Sequence, residues 1–173
     1  MQKDGWGCGM RVIGFAGWSG AGKTTLLARL IPVLVGRGLR VSTVKHAHHG
    51  FDVDQPGKDS WVHREAGATE VLVGSARRWA LMHELRDAPE PDLAALLSRL
   101  SPVDLVLVEG WKRGPHPRIE VHRAVTGKPL LYPDDPGIVA MAATPVQTAS
   151  IPVVGLDEVD AVADLVGRFA KAL

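Results

Sequence analysis

The chain has 173 residues, 46% hydrophobic and 23% charged, with a formal net charge of +1 at pH 7. That length suits one well-buried core, so a single domain over residues 10–173 is expected, and the near-balanced charge argues against a nucleic-acid surface. No apolar run approaches the ~20 residues that span a bilayer, and the single cysteine, Cys8, excludes an internal disulfide framework; a cytoplasmic protein without a membrane segment is expected.

Residues 1–9 are glycine-rich and show no periodicity, which reads as a flexible extension. The apolar run 11–16 reads as a strand, and Gly17-Trp18-Ser19-Gly20-Ala21-Gly22-Lys23-Thr24 follows it directly. This octapeptide fits the phosphate-loop pattern G-x-x-x-x-G-K-[ST] at every fixed position. Backbone N–H groups can surround a polyanion only where no side chain blocks their approach, and glycines at 17, 20 and 22 permit that. Lys23 then sets a point charge against the β and γ phosphates. The Thr24 hydroxyl is placed to ligate Mg²⁺, and a helix through residues 26–30 turns its positive dipole end toward the anion. Trp18, at a position the pattern leaves free, is expected to pack against a neighbour.

Gly36-Arg37-Gly38 should end that helix, and residues 39–44 read as a second strand. The loop that follows carries Lys45, His46, His48 and His49 with Asp52 and Asp54, too loaded for a mere connector. Two interpretations stand: a transition-metal site, or contacts from Lys45 and the histidines to phosphate with the aspartates reaching nucleotide-bound Mg²⁺. Residues 58–67 can form a short helix, 69–74 a strand, and 79–85 a strand pairing back through a turn at 75–78.

Pro89-Glu90-Pro91-Asp92 opens a helix through residue 100, which Ser101-Pro102 stops. Residues 103–108 are nearly all apolar, as in a strand buried on both faces of a parallel sheet, and they run into Glu109. In such sheets ligands lie at the carboxyl ends of the strands, so Glu109 would stand beside the phosphates and hold the metal or orient the attacking water, while Asp104 lies at the wrong edge. Trp111-Lys112-Arg113 could bind an anion or form a solvated turn. Residues 118–123 alternate strictly, 138–142 and 151–154 are short apolar runs, and an amphipathic helix closes the chain over 157–172. Strands alternating with helices from a phosphate loop imply an α/β fold: a P-loop NTPase-like, open, mostly parallel sheet with helices on both faces.

The phosphate loop, the run 44–54, Pro56-Gly57-Lys58-Asp59-Ser60 with Ala66-Gly67-Ala68, and Val108-Glu109-Gly110-Trp111-Lys112 together resemble the molybdopterin-guanine dinucleotide biosynthesis protein B (MobB) family, over residues 11–125. The resemblance implies a dimeric GTP-binding protein with weak GTPase activity that assists molybdopterin guanylyltransferase, the enzyme attaching GMP to molybdopterin. It implies a nucleotide site of Gly17, Ser19, Gly20, Ala21, Gly22, Lys23, Thr24 and Thr25 lined by Lys45, His46, His48 and His49. Thr24, Asp54 and Glu109 would surround Mg²⁺, with Lys23 and Glu109 as the catalytic pair.

Where related sequences carry an aspartate that could read the guanine edge, this chain has Thr144-Pro145, and it lacks an Asn-Lys-x-Asp guanine motif. A small-molecule kinase on the same loop and a non-catalytic, nucleotide-stabilised interaction module remain the competing functions.

Overall fold

The structure is a computed structural model and is described for residues 9–47, 50–111 and 114–172. In chain order it comprises β1 (Arg11–Ala16), α1 (Lys23–Gly36), β2 (Val41–Lys45), α2 (Asp59–Glu65), β3 (Glu70–Gly74), β4 (Trp79–His83) and α3 (Leu93–Leu97). There follow β5 (Leu105–Glu109), β6 (Arg118–Arg123), β7 (Ile138–Thr144), β8 (Val153–Gly155), α4 (Val159–Phe169) and β9 (Lys171–Ala172). Two compact units result: Met1–His46 with Leu93–Leu173, and Ala47–Asp92.

The first unit is built on a seven-stranded sheet in the order β2-β5-β1-β6-β7-β8, with β9 paired to β1. Every pairing is parallel except that of β9, which runs antiparallel against Arg11 and Val12. Parallel strands need crossover connections, and the helices that supply them bury both faces of the sheet. Alternation along β1 and β5 divides the core accordingly. Ile13, Phe15, Leu105 and Leu107 pack with α1 and α4, whereas Val12, Val106 and Val108 pack with Leu93 and Leu97 of α3. The expected α/β architecture is thus present, with helices on both faces.

α1 continues through Pro32, an interior proline that removes one helical hydrogen bond. Its buried face of Leu26, Leu27, Leu30 and Leu34 holds it to the sheet regardless. It ends where expected: Gly38 takes a left-handed φ of 83°, and the Leu39 N–H reaches back to the Leu34 carbonyl. Arg37 pairs with Asp160 and Asp164 of α4, and Arg29 with Asp157 just before that helix, so α1 is joined to α4 and its approach at exposed edges. Exposed pairs of this kind contribute little individually.

The C-terminus departs from expectation. The helix closes at Phe169, Ala170 is extended, and Lys171–Ala172 form a strand. Arg11 explains the early stop, because its guanidinium donates to the carbonyls of Gly167 at 2.6 Å and Ala170 at 3.0 Å. A cation that takes up the last free carbonyls of a helix fixes its end. α3 is likewise shorter than the expected 93–100, and β7 is longer than 138–142.

β6 alternates as the sequence implies, yet its polar residues are buried as well: Arg118, Glu120 and His122 are all under 9% exposed. Arg118 donates to Asp135 at 2.6 Å and to the Gly114 and His116 carbonyls. Glu120 accepts the backbone N–H groups of Leu131 and Tyr132 at 2.8 and 2.9 Å, tying down the segment after β6. Burial of Glu120 and of the Arg118 Nη groups is tolerated because they are paired, although Arg118 Nε has no partner.

In the second unit α2 precedes an antiparallel β3–β4 hairpin whose turn is closed by Ser75 and Arg78. Arg64 gathers three of this unit's acids. It contacts Asp52 at 2.7 Å, Glu84 at 3.0 Å and Asp54 at 3.5 Å. A backbone hydrogen bond from Asp54 and then the Arg64 guanidinium hold the Asp52 carboxyl below its ordinary range.

His116, 1% exposed beside Arg118, has its pKa lowered from 6.5 to about 4, chiefly by burial and then by the Arg118 charge, with Asp135 opposing. The folded protein therefore keeps this imidazole neutral while the unfolded chain protonates it. Its contribution is intact above pH 6.5, falls as pH drops toward about 4, and is constant below that. Urea titrations across this range should show a loss on the order of 2–3 kcal/mol. The loss should shrink markedly in His116→Asn; an unchanged pH slope in that variant would contradict the assignment.

Candidate phosphate-binding site

The chain leaves β1 at Ala16 and turns at once into the glycine loop. Gly17 has φ +149°, and a Cβ there would run into the Val121 carbonyl oxygen on the neighbouring strand. Gly22 is the N-cap of α1 with φ 94°; no side chain caps the helix and no acid stands in its first turn. The first N–H groups of α1 therefore have no helical partner, and around Gly20 nothing lies within 4 Å of an added Cβ. Free donors, a helix dipole and an open approach together make a site for an anion. Ser19, Gly20, Thr24 and Thr25 are exposed, whereas Ala21 is buried and its N–H closes the loop on the Trp18 carbonyl at 3.2 Å. The Lys23 ammonium lies across the loop, donating to the Gly17 carbonyl at 2.7 Å and the Trp18 carbonyl at 3.0 Å.

Strand register brings the remaining groups alongside. Phe15 is opposite Glu109 in the β1–β5 pair, and Lys45 is opposite Glu109 in the β2–β5 pair, so three parallel strands end level. The Thr24 hydroxyl donates to Glu109 Oε1 at 2.6 Å, and Lys45 Nζ stands 4.0 Å from the same oxygen. His46 donates its backbone N–H to the Glu109 carbonyl at 2.8 Å, and its ring lies 4.8 Å from that of Trp111. Glu109 is largely buried, its side chain 13% exposed, while Lys45 at 64% is free to move toward an incoming anion. Thus Thr24, Lys45, His46 and Glu109 meet at the carboxyl edge of the sheet. Asp104, at the other end of β5, is engaged instead with Arg40.

A hydroxyl and a carboxylate oxygen 2.6 Å apart can share one hard divalent cation, so Thr24 and Glu109 fit Mg²⁺. Asp54 belongs to the second unit, where its Oδ1 accepts from the Ser60 hydroxyl at 2.8 Å and the Gln55 N–H at 2.9 Å. Among the described residues no group of three or more His, Cys, Asp or Glu side chains is arranged to hold a metal. His48, His49, Lys112 and Arg113 lie outside the described residues.

Trp18 packs as expected of an aromatic at a free loop position. Its indole N–H donates to the Pro129 carbonyl at 2.9 Å, and Lys128 Nζ stands 5.7 Å from the ring centroid. These partners are more than a hundred residues away, and no local pattern marks them. Arg123, whose guanidinium lies against Gly22, also carries no motif; its only signal is its position at the end of an alternating strand.

The family profile described as "Molybdopterin guanine dinucleotide synthesis protein B" matches residues 12–144. The Escherichia coli (strain K12) protein named "Molybdopterin-guanine dinucleotide biosynthesis adapter protein" is 43% identical over 158 residues, covering 90% of each chain. Its namesake from Haemophilus influenzae is 47% identical over 119 residues, covering 69% of this chain and 67% of that one. Among solved structures, one titled "Crystal Structure of molybdopterin-guanine biosynthesis protein B (mobB)" superposes with a TM-score of 0.72 at 29% identity, covering 90% and 97% of the two chains.

The two loop glycines should separate in their effects on the ligand-free protein. Gly17→Ala must displace the Val121 backbone and should cost about 2–4 kcal/mol in urea unfolding. Gly20→Ala meets only backbone strain at its φ of 80° and should cost about 1 kcal/mol. Equal losses would contradict the packing of Gly17 on β6.

Proposed function

The chain belongs to the molybdopterin guanine dinucleotide synthesis protein B family, and on that premise we propose that it is the adapter of molybdopterin guanine dinucleotide biosynthesis, binding GTP with Mg²⁺ at its glycine loop and hydrolysing it slowly. The observation that carries this is the 2.6 Å hydrogen bond joining Thr24 of the loop to Glu109 at the end of the neighbouring strand. It supports a reading in which the loop cradles phosphate while the Thr24 hydroxyl and the Glu109 carboxylate share the metal.

In this proposal the backbone N–H groups of Gly20 and of Gly22 to Thr25 cradle the phosphates. Lys23 exchanges its contacts with the Gly17 and Trp18 carbonyls for the β and γ phosphates. Lys45 and His46 flank Glu109 at the same edge of the sheet. Mg²⁺, when bound, would be held by Thr24 and Glu109 and would neutralise charge on the transferring phosphoryl group. Glu109 also orients the attacking water by accepting its hydrogen bond. With nothing but charge neutralisation and a single orienting carboxylate, turnover is slow, as befits a protein whose output is presentation to a partner. Family membership supports GTP over ATP, since no residue of this chain supplies a recognised guanine contact.

The partner in this reading is molybdopterin guanylyltransferase, with molybdopterin as the shared ligand, and the chain acts as a homodimer. Leu72 and Trp79 at 66% exposure and Leu81 at 45% form an apolar face on the β3–β4 hairpin, a surface suited to protein contact. Among the described residues no helix is long and apolar enough to cross a membrane.

Calorimetric titration with Mg²⁺ should show GTP binding more tightly than ATP, and Lys23→Ala should weaken binding by roughly a hundredfold or more. Unchanged affinity in that variant would remove the site. Glu109→Gln should slow GDP release in a hydrolysis assay by roughly 10–100-fold while binding shifts by less than about threefold; equal losses would make Glu109 structural. Rapid turnover that depends on an added acceptor would instead establish a kinase, and binding without any turnover a nucleotide-stabilised module.

A further inference from the structure

β6 outruns β1. The last residues paired between them are Ala16 and Glu120, so Val121, His122 and Arg123 continue alongside the glycine loop. Val121 presents its carbonyl to Gly17, and the segment beyond β6 holds Trp18 through the Pro129 carbonyl. Arg123 completes the series. A Cβ on Gly22 would stand 3.1 Å from Arg123 Nε and 3.4 Å from Nη2, so the guanidinium lies flat against the residue that opens α1.

Arg77, Arg78, Arg86, Arg99 and Arg168 are exposed, so water screens their charge, whereas Arg123 is partly buried. Arg29, Arg37, Arg40, Arg64 and Arg118 each pair with a carboxylate. Arg123 is partly buried, its Nε is buried with no hydrogen-bond partner, and among the described residues no carboxylate pairs with it. A guanidinium keeps its charge at every accessible pH, and burying one without a counter-charge is unfavourable. Such an expense is compensated if a polyanion enters the loop on whose back the guanidinium sits, because charges interact strongly across a thin, poorly polarisable layer.

We infer that Arg123 is a further cation of the phosphate site, beside Lys23 and Lys45, acting through Gly22. It is a positioning residue that supports the loop from behind and raises the positive potential at its donors. The inference rests on the nucleotide reading above and adds a residue to it.

Two properties follow that a purely structural arginine would not have. Its removal should weaken ligands in proportion to their phosphate charge, and it should not destabilise the ligand-free protein, since an uncompensated charge is deleted. The experiment compares wild type, Arg123→Met and Arg123→Lys for GTP, GDP and guanosine affinity at two salt concentrations, with the thermal midpoint of each ligand-free protein. Arg123→Met should lose roughly tenfold for GTP, less for GDP and nothing for guanosine, with a midpoint equal to or above wild type. Arg123→Lys should recover part of the GTP affinity, and the GTP loss should shrink at high salt. Equal losses for all three ligands, a lowered midpoint or failure of Arg123→Met to fold would make the arginine structural and overturn the inference. If wild type binds neither GTP nor GDP, the nucleotide reading itself has failed; if wild type binds and Arg123→Met binds equally well, only the role of Arg123 has.

Discussion

The constraint on which the rest depends is the register of three parallel strands. β2, β5 and β1 are aligned so that Lys45, Glu109 and Phe15 form one row. The glycine loop begins two residues after Phe15, so it has no choice but to open beside Glu109. Shifting β5 by one residue would turn its side chains to the opposite face and separate the Thr24 hydroxyl from its acceptor. Register is secured by burial on both faces, since Leu105, Val106, Leu107 and Val108 are all fully buried. Hydrophobic packing thereby fixes polar geometry several residues away.

A second consequence concerns the loop. Glycines at 17 and 22 serve two purposes at once, leaving the front of the loop clear and letting β6 approach its back. The back is crowded, with the Val121 carbonyl on Gly17 and the Arg123 guanidinium on Gly22. The front is open, as the empty surroundings of Gly20 show. A rigid rear and an accessible face suit a cradle whose donors must already be aligned before a ligand arrives. Lys23 is held by two loop carbonyls, contacts that it would exchange for phosphate in the proposed cradle.

Much of this was legible in the sequence because the signals are local. The phosphate loop is an eight-residue pattern, β5 is a continuous apolar run, and Glu109 is the acid that ends it. Boundaries and distant contacts were not legible. The C-terminal helix looked longer because its apolar periodicity continues, whereas Arg11, more than 150 residues away, takes its last carbonyls and β9 pairs with β1. β6 reads from its alternation as a strand with one polar face, yet Arg118 and Glu120 are buried, Arg118 against Asp135 and Glu120 against the Leu131 and Tyr132 amides. Neither partner can be recognised from spacing. The same applies to Arg123, whose importance lies entirely in what folds against it.

The central claim is that Thr24 and Glu109 form one cation-and-phosphate centre with the loop. A crystal structure with a non-hydrolysable GTP analogue and Mn²⁺, which scatters anomalously where Mg²⁺ does not, tests it most directly. The expected map has the triphosphate cradled by residues 20–25, Lys23 turned from the Gly17 and Trp18 carbonyls to the phosphates, and an anomalous peak in contact with Thr24 and Glu109. An analogue bound elsewhere, or a metal peak remote from both side chains, would contradict it.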